Sequence, residues 1–353
     1  MTPGAGGRVV RALVTDGDGG LELREAASRP PGPGELAVAP VAVGVCGTDL
    51  ELIDGVVDAA FVNYPLVLGH EWSGIVTGSE SAAFSPGDRV VVEGIVPCRH
   101  CDQCVTGATN LCDTYDEIGF TRGGAATDEL VVPADLAHLL PEAASFEDGA
   151  LVEPSSVVYR GLSRVLSRPG LDCLVVGDGT IALLALQLLR LWSPARLALL
   201  GRRPEQAGLA WAAGASELVD PRSPPTGRFD LVVEAAGSNE AVLTALAAAR
   251  RGGTVLVLGL PPQGTTAAIA VDGLVNNDLL VRASFGYTSS AWRRVVALIG
   301  AGSFHPSGIV THRFPIGQFS EGFELLRAPR PGEARGKVLL YLDGVKGEVS
   351  KPG

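Results

Sequence analysis

LDCLVVGDGTIALLALQLLRL, residues 171–191, is the stretch that decides the fold of this chain. Its apolar start, Leu171–Val176, predicts a strand buried on both faces, and a helical pattern from Ile181 to Leu191 follows a glycine-rich turn. The turn has the form G-x-G-x-x-A, in which backbone amides and a helix N-terminus can cradle a pyrophosphate. The candidate cofactor-binding residues of this turn are Gly177, Gly179, Thr180 and Ile181.

The same alternation of strands and helices continues on both sides of this turn. Helices are predicted at 155–166, 204–213, 240–250 and 290–301, and strands at 196–200, 229–233, 254–258 and 279–283. Alternating β and α elements imply an α/β fold with a doubly wound parallel sheet of the Rossmann type.

Residues 200–203, LGRR, follow the second strand of this sheet, where dinucleotide specificity is usually set. An acidic residue there binds the ribose 2′-hydroxyl of NAD, whereas arginines accommodate the 2′-phosphate of NADP. We expect no carboxylate here to repel the phosphate, and the guanidiniums of Arg202 and Arg203 can pair with it. The sequence therefore predicts a preference for NADP(H), with NAD(H) as the other cofactor. An arginine pair that is only solvated at a helix start is the alternative.

Length and charge limit the possible functions. At 353 residues the chain is longer than one hydrophobic core usually supports, which predicts two domains. Its net charge of −11 argues against a general affinity for nucleic acid or anionic membranes. The N-terminus has no secretory signal pattern, and the most apolar stretch, 181–200, is interrupted by two arginines and a proline. We expect a cytoplasmic protein.

The N-terminal part of the chain is predicted to be mainly β. Residues 8–14, 35–45, 90–93 and 125–132 are strand-like, and a proline- and glycine-rich connector, 29–35, joins the first two runs.

Four of the six cysteines are crowded into one short segment of this part: Cys98, Cys101, Cys104 and Cys112. In a reducing compartment such crowding indicates a metal site rather than a disulfide framework. Four thiolates at this spacing can close a tetrahedron around zinc, which leaves no open position for a substrate and predicts a structural site. An unliganded loop and an iron–sulfur cluster are the alternatives.

A second group of candidate ligands is dispersed along the sequence. Cys46 lies between glycines, His70 and Glu71 follow an apolar run, and Glu153 stands in an apolar context before a helical pattern. Taken singly, these residues have ordinary explanations as a buried thiol, a structural histidine, a solvated glutamate and a charge at a helix terminus.

Taken in order, these motifs resemble the zinc-dependent medium-chain dehydrogenase/reductase superfamily, the relatives of alcohol dehydrogenase. The motifs are GVCGTD at 44–49, GHE at 69–71, the four cysteines, VEP at 152–154 and the glycine-rich turn. The polyol and sugar dehydrogenases are the most similar, because Glu153 stands where simple alcohol dehydrogenases have a third thiolate. Glu51 is a departure, since many relatives have a histidine there that ends a proton relay. The proton-exit route is therefore open.

The resemblance implies a domain organisation and a metal content. It implies a GroES-like catalytic domain with a structural-zinc lobe at 1–154 and 293–353, a Rossmann domain at 155–292, and a substrate cleft between them. It also implies two zinc ions per subunit and a homodimer or homotetramer.

The resemblance further implies a site. Cys46 and His70 would bind the catalytic zinc with Glu71 or Glu153 as the remaining ligand, Asp49 would orient His70, and the Thr48 hydroxyl would relay the proton of the bound alcohol. Lys337 would either reach the cofactor pyrophosphate or be solvated at the start of a strand.

The predicted activity is oxidation of a secondary alcohol of a polyol, sugar or cyclitol to the ketone, or the reverse, by hydride transfer. Threonine, simple alcohols and aldehydes are alternative substrates. A non-catalytic NADPH-binding zinc scaffold or sensor is a further alternative, whereas a zinc-stabilised module for nucleic acid is disfavoured by the acidic charge.

Overall fold

The computed structural model describes residues 8–342, which form three β-sheets and ten α-helices within that range. The strands are β1 (Arg8–Thr15), β2 (Glu22–Ser28), β3 (Glu35–Val45), β4 (Leu66–Val67), β5 (Trp72–Ser79), β6 (Arg89–Val92), β7 (Leu130–Pro133), β8 (Ala137–Leu139), β9 (Asp172–Val176), β10 (Arg196–Leu200), β11 (Glu217–Val219), β12 (Phe229–Glu234), β13 (Ala249–Val257), β14 (Leu280–Ala283), β15 (Val310–Pro315) and β16 (Lys337–Tyr341). The helices are α1 (Gly47–Ile53), α2 (Asp102–Val105), α3 (Phe146–Ala150), α4 (Val152–Ser163), α5 (Thr180–Arg190), α6 (Ala207–Ala213), α7 (Asn239–Ala248), α8 (Val271–Asn276), α9 (Ser289–Gly300) and α10 (Phe319–Arg327).

The decisive stretch forms the centre of a six-stranded parallel sheet in the order β11-β10-β9-β12-β13-β14. Numbered from β9, this order is 3-2-1-4-5-6, the Rossmann order, in which the direction of winding reverses between β9 and β12. Helices α4, α5 and α9 contribute to the core on one face, and α7 to the core on the other. Strand β9 is apolar throughout its buried part because it is covered on both faces. The predicted doubly wound α/β fold is confirmed.

Several element boundaries differ from the predictions. The helix expected at 204–213 begins as a 3₁₀ turn, Pro204–Gln206, before α6. The strand expected at 125–132 is limited to β7, because the amides of Ala125 and Ala126 donate instead to the carbonyls of Gly69 and Leu68 in the loop before His70. Backbone groups that are satisfied by a neighbouring loop cannot also join a regular strand ladder.

The second large sheet is mostly antiparallel and collects strands from both ends of the chain. Its order is β15-β16-β3-β5-β6-β8, with β7 also paired to β3, and a small sheet of β2, β1 and β4 adjoins it. Strand β16 runs antiparallel to β3, with Val338 opposite Val45. The last strand of the described residues, β16, therefore lies beside β3, the strand that leads into Cys46.

The predicted division into domains at 154/155 and 292/293 stays a prediction. Helix α4 runs across the first boundary and α9 across the second. Residues 1–7 and 343–353 of the predicted catalytic domain lie outside the described residues.

A buried glutamine connects the glycine-rich turn to the C-terminal segment. Gln206 is only 1% exposed. Its Nε2 donates to the carbonyl of Asp178 at 2.7 Å and to that of Arg335 at 2.8 Å, and its Oε1 accepts the Arg335 amide at 2.8 Å. Two residues after Arg335, the chain enters β16 at Lys337.

Across residues 8–342, we find no helix with the length and apolar character needed to cross a bilayer.

Candidate active site and cofactor pocket

Cys46 caps a short helix whose first turn positions the neighbouring ligand. It follows β3 directly and is the N-cap of α1. The buried Asp49 accepts the Cys46 amide on Oδ2 at 2.8 Å, and its Oδ1 lies 3.3 Å from Nδ1 of His70. A carboxylate at this place also stabilises the positive end of the helix. One buried aspartate thus binds the Cys46 amide and lies beside the His70 ring, the residue that the resemblance expects it to orient.

Three of the dispersed candidate ligands converge. One ligand atom each from Cys46, His70 and Glu71 lies within 4.8 Å of the others. A thiolate, an imidazole and a carboxylate form the mixed ligand set that catalytic zinc sites use, so these residues fit the ion. We call this group the catalytic cluster.

The backbone comes unusually close to this cluster at Gly44. The Gly44 amide donates to the Glu71 carbonyl at 2.7 Å. A Cβ on Gly44 would overlap Oε2 of Glu71 and Cε of Lys337. Only glycine fits here, because any side chain would displace the carboxylate from the cluster.

Both predictions for Lys337 are wrong. The side chain is 1% exposed, and its ammonium pairs with Oε2 of Glu71 inside the catalytic cluster. The reason is the register of β16 on β3, which brings the beginning of β16 to the end of β3 and hence to Cys46. An ammonium buried beside a carboxylate neutralises a charge that would otherwise be very costly.

The catalytic cluster favours positive charge. Burial opposes the imidazolium, but the Asp49 carboxylate and the Cys46 thiol raise the pKa of His70 well above its ordinary value. Burial likewise opposes the Lys337 ammonium, yet Glu71 and Cys46 raise the pKa of this lysine. Buried acidic groups that raise the pKa of two neighbouring bases create a negative potential, which suits a bound cation.

Glu153 lies close to the cluster but outside its tightest group. It stands in the first turn of α4 and keeps part of its surface accessible. Among the described residues, it is not one of those whose ligand atoms all lie within 4.8 Å. Burial raises the pKa of Glu153 to about 8, and repulsion from Glu71 and Glu117 adds to this shift.

Glu117 is a further acidic residue near the cluster that the sequence did not point out. It is 8% exposed, and burial raises its pKa to about 7. A Cβ built on Gly94 would lie 3.5 Å from Glu117 Oε1 and 3.2 Å from the Tyr287 hydroxyl, so both groups line the same space. Glu117 gave no periodic signal because it makes only an isolated bridge with Ile95.

Thr48 and Glu51 occupy one side of α1. The Thr48 Oγ1 atom lies 3.8 Å from Cys46 Sγ, and both Thr48 and Glu51 are half-buried. Residues three apart on a helix are neighbours, which puts Glu51 next to Thr48. Burial raises the pKa of Glu51.

The four crowded cysteines form a separate site. Their Sγ atoms lie within 4.8 Å of one another, and none of the chain's six cysteines forms a disulfide. The amides of His100 and Cys101 lower the pKa of Cys98 to about 6, and the Cys98 amide lies 3.3 Å from the Cys112 sulfur. Amides directed at sulfur stabilise thiolates, so the four residues fit a tetrahedral metal ion.

The glycine-rich turn borders a cavity of about 310 Å³ at the carboxyl end of the parallel sheet. Gly177 has φ +124°, and a Cβ there would lie 2.8 Å from the carbonyl carbon of Ala235. Gly179 caps α5, whose first turn contains Thr180 and Ile181. A cradle next to a helix N-terminus at the switch point of the sheet fits a dinucleotide.

The arginines beside this cavity are not equivalent. Arg203 donates to Oδ1 of Asp178 from Nη2 at 2.7 Å and from Nε at 3.0 Å, whereas the Arg202 side chain is exposed. The expectation that no carboxylate stands here is wrong, because Asp178 in the glycine-rich turn supplies one. A search for acidic residues only at the end of β10 misses Asp178, because its side chain reaches that place from the turn after β9.

Comparisons with known proteins establish the family. Residues 32–142 match the alcohol dehydrogenase GroES-like domain, and residues 180–301 match the zinc-binding dehydrogenase family. An L-threonine 3-dehydrogenase from Anaeromyxobacter sp. (strain Fw109-5) is 30% identical over 304 residues, which cover 82% of this chain and 87% of that protein. The chain belongs to the zinc-dependent medium-chain dehydrogenase/reductase superfamily. It is a zinc-dependent, NAD(P)-dependent alcohol dehydrogenase.

Solved structures agree with this assignment. A protein from Sinorhizobium meliloti, described as a zinc-binding dehydrogenase and bound to NADP, has 30% identity and a TM-score of 0.87, covering 95% of this chain and 99% of that one. Galactitol-1-phosphate dehydrogenase from Escherichia coli has 25% identity and a TM-score of 0.84, covering 94% and 99%.

Proposed function

We propose that this dehydrogenase oxidises a secondary alcohol of a polyol, sugar or cyclitol to the ketone, or catalyses the reverse reduction. The observation that carries this proposal is the polar space beside the catalytic cluster, which the buried Glu117 and Tyr287 hydroxyl and the half-buried Glu153 share. Buried carboxylates that lack enough donors are costly, and a substrate with several hydroxyl groups supplies those donors. An apolar alcohol would leave them unsatisfied.

We propose that Cys46 and His70 hold the catalytic zinc together with Glu71 or Glu153, and that Cys98, Cys101, Cys104 and Cys112 hold a second, structural zinc. The support is the convergence of the ligand atoms of Cys46, His70 and Glu71 at the first site and of the four cysteines at the second. Bound at the first site, zinc would supply Lewis acidity, which lowers the pKa of a coordinated hydroxyl group.

The chain's own groups then orient the reactants and move the proton. Asp49 holds the His70 ring, and Lys337 compensates the charge of Glu71. The Thr48 hydroxyl takes the proton of the substrate alcohol and passes it along the side of α1 that also carries Glu51.

We also propose NADP(H) as the preferred cofactor, with NAD(H) as the possible second one. Gly177, Gly179, Thr180 and Ile181 would bind the pyrophosphate, and the predicted arginine pair, Arg202 and Arg203, would lie beside the 2′-phosphate. The cavity beside these residues supports the assignment, as does the NADP bound to the relative from S. meliloti. A nicotinamide ring held there would supply the hydride acceptor.

The test is a substrate panel of polyols, sugars, cyclitols, simple alcohols and L-threonine, each assayed with NADP⁺ and NAD⁺ on protein of measured zinc content. We expect the highest kcat/KM for a polyol, sugar or cyclitol with NADP⁺, at about two zinc ions per subunit. Turnover confined to simple alcohols would contradict the substrate assignment. A protein that binds NADPH but turns over no member of the panel would favour the scaffold or sensor.

L-Threonine is a second candidate substrate because of Glu117. The relatives named L-threonine 3-dehydrogenase suggest it, and a buried carboxylate near the catalytic cluster suits a substrate ammonium. The two candidates can be separated with Glu117→Gln. We expect kcat/KM to fall about 100-fold for an aminated alcohol but less than about tenfold for a polyol.

We further propose that the protein is cytoplasmic and has no nucleic-acid or membrane partner.

We also propose a homodimer that pairs through the edge of the parallel sheet. Strand β14 ends the sheet and exposes Leu280 and Val281, next to Val271 and Val275 of α8, which are 66% and 74% exposed. An exposed apolar edge strand of this kind is normally buried against another surface, and in a symmetric dimer that surface is the same strand of a second copy. We expect Val281→Lys to dissociate the dimer in light-scattering measurements; an unchanged mass would exclude this interface.

A further inference from the structure

The middle residue of the G-x-G turn carries its carboxylate to the end of the neighbouring strand. Oδ2 of Asp178 accepts the amides of Arg202 at 2.8 Å and Arg203 at 3.0 Å. A Cβ on Gly201 would lie 2.7 Å from the Asp178 Cβ and 3.0 Å from Oδ2. The Asp178 carboxylate therefore fills the space that a side chain at position 201 would occupy. An acidic residue at the end of this strand is the group that recognises the ribose in NAD-binding sheets.

The two adjacent arginines have different tasks in this arrangement. Arg203 forms a two-point contact with the Asp178 carboxylate, and its Nη2 also donates to the Asp178 carbonyl at 3.0 Å. Its side chain keeps 23% of its surface exposed. Within residues 8–342, the Arg202 guanidinium makes no hydrogen bond or ion pair. The charge of Arg203 is thus compensated, whereas that of Arg202 is free for a ligand.

We propose that Asp178 is the specificity-determining residue of the cofactor pocket. Its carboxylate takes the place of the acid that the second strand lacks, Arg203 masks this charge, and Arg202 is the cation that binds a 2′-phosphate. Because Asp178 remains next to the 2′-position, it limits how strongly NADP(H) is preferred over NAD(H). The inference rests on the proposed binding of a dinucleotide in this cavity.

The experiment measures the dissociation constants of NADPH and NADH by fluorescence titration of the purified, zinc-loaded protein. In Asp178→Asn, the side-chain oxygen can still accept the loop amides while the charge is removed. We expect the affinity ratio of NADPH to NADH to rise about tenfold in this variant and to fall at least about tenfold in Arg202→Ala.

A matched control is available at the start of β9, the strand that ends just before the glycine-rich turn. Asp172 begins β9 and pairs with Arg196 at 2.9 Å, so Asp172→Asn also removes one carboxylate charge from the strand. It does so away from the cavity, and we expect the affinity ratio to stay within about twofold of the wild-type value, since charges separated by more than a Debye length are screened. An equal rise in both variants would mean that net charge alone sets the ratio, which would overturn the assignment to Asp178.

Masking by Arg203 is tested with a double-mutant cycle. Arg203→Ala uncovers the carboxylate and should lower the affinity ratio, and Asp178→Asn added to Arg203→Ala should raise it by more than the same change does in the wild type. Equal effects in the two backgrounds would refute masking.

Two results would overturn the main proposal: an Asp178→Asn ratio equal to that of the wild type, or an equal loss of affinity for both cofactors, which would show a role in loop structure alone. Melting curves of each variant identify loss of folding, and Asp178→Ser provides a second neutral side chain. A wild-type protein that prefers NADH would contradict the proposed cofactor preference, yet the change of ratio in Asp178→Asn would still report on Asp178.

Discussion

The two cysteine-containing sites of this enzyme are built in opposite ways. The four-cysteine lobe takes all its ligands from one short segment, and backbone amides compensate its thiolates. The catalytic cluster takes Cys46 and His70 from separate segments and includes Lys337 from the far end of the chain. In the lobe, the groups that compensate the thiolates come from the same short segment as the cysteines. In the catalytic cluster, the compensating ammonium is in place only when the antiparallel sheet has assembled.

Removal of a ligand from the catalytic cluster should reduce activity far more than removal of a ligand from the four-cysteine lobe, and this is the largest effect that we expect. Cys46→Ala should lower kcat at least about a thousandfold and remove one of two zinc ions, because the metal's contribution to the barrier is several kcal/mol. Steady-state measurement of kcat and determination of the zinc content of the same sample test this prediction. Retention of both ions together with activity would show that Cys46 is not a ligand.

The second prediction asks whether the Lys337 ammonium compensates the charge of Glu71 in the catalytic cluster when zinc is absent. Lys337→Met should lower the free energy of unfolding of the zinc-free protein by about 4 kcal/mol, because it leaves a buried carboxylate unpaired. Zinc should restore part of this loss, since the ion takes over the compensation. Lys337→Arg is the matched control that keeps the charge. Equal destabilisation with and without zinc would refute the coupling.

Glu117 makes the stability of the catalytic region dependent on pH. Its pKa is raised from 4.5 to about 7, so the folded zinc-free protein holds a proton that the unfolded chain releases between these values. Stability should therefore fall as pH rises from about 4.5 to about 7, by about 3 kcal/mol in total.

The variant Glu117→Gln should remove this slope. It should match the wild type near pH 4 and exceed it in stability at pH 8 in denaturant unfolding of zinc-free protein. Bound zinc should reduce the difference, because a nearby dication lowers the pKa of the carboxyl. Identical pH profiles of the two proteins would exclude an uncompensated Glu117.

Cys104→Ser in the lobe should have the smallest effect on catalysis. We expect kcat within about threefold of the wild type, one zinc ion lost, and a decrease of about 2 kcal/mol in stability, since a closed site contributes to folding. A loss of activity as large as that of Cys46→Ala would show that the two sites are not independent.

The sequence was sufficient wherever the signal was local. The apolar run and glycine pattern at 171–191 predicted the parallel sheet, and the cysteine spacing predicted a compact set of four thiols that the structure brings together. The convergence of Cys46 with His70 and Glu71 followed from the family resemblance, because nothing in their spacing alone requires it.

What the sequence missed depends on neighbours that are distant in the chain. Lys337 lies in the cluster because of the register between β16 and β3, and no local pattern encodes that register. Asp178 was misjudged because its side chain crosses from one strand end to the next. Glu117 sits in an irregular segment whose burial is decided by what packs over it.

The contacts of Gln206 have a consequence for exchanging parts between relatives. This side chain joins the glycine-rich turn to Arg335, and Lys337 follows two residues later. A nucleotide-binding module grafted from another dehydrogenase would therefore meet a foreign C-terminal segment two residues before the lysine that supplies the cluster's ammonium. Functional chimaeras should retain activity when the turn and residues 335–337 come from the same parent, so these two short stretches are expected to be inherited as a pair.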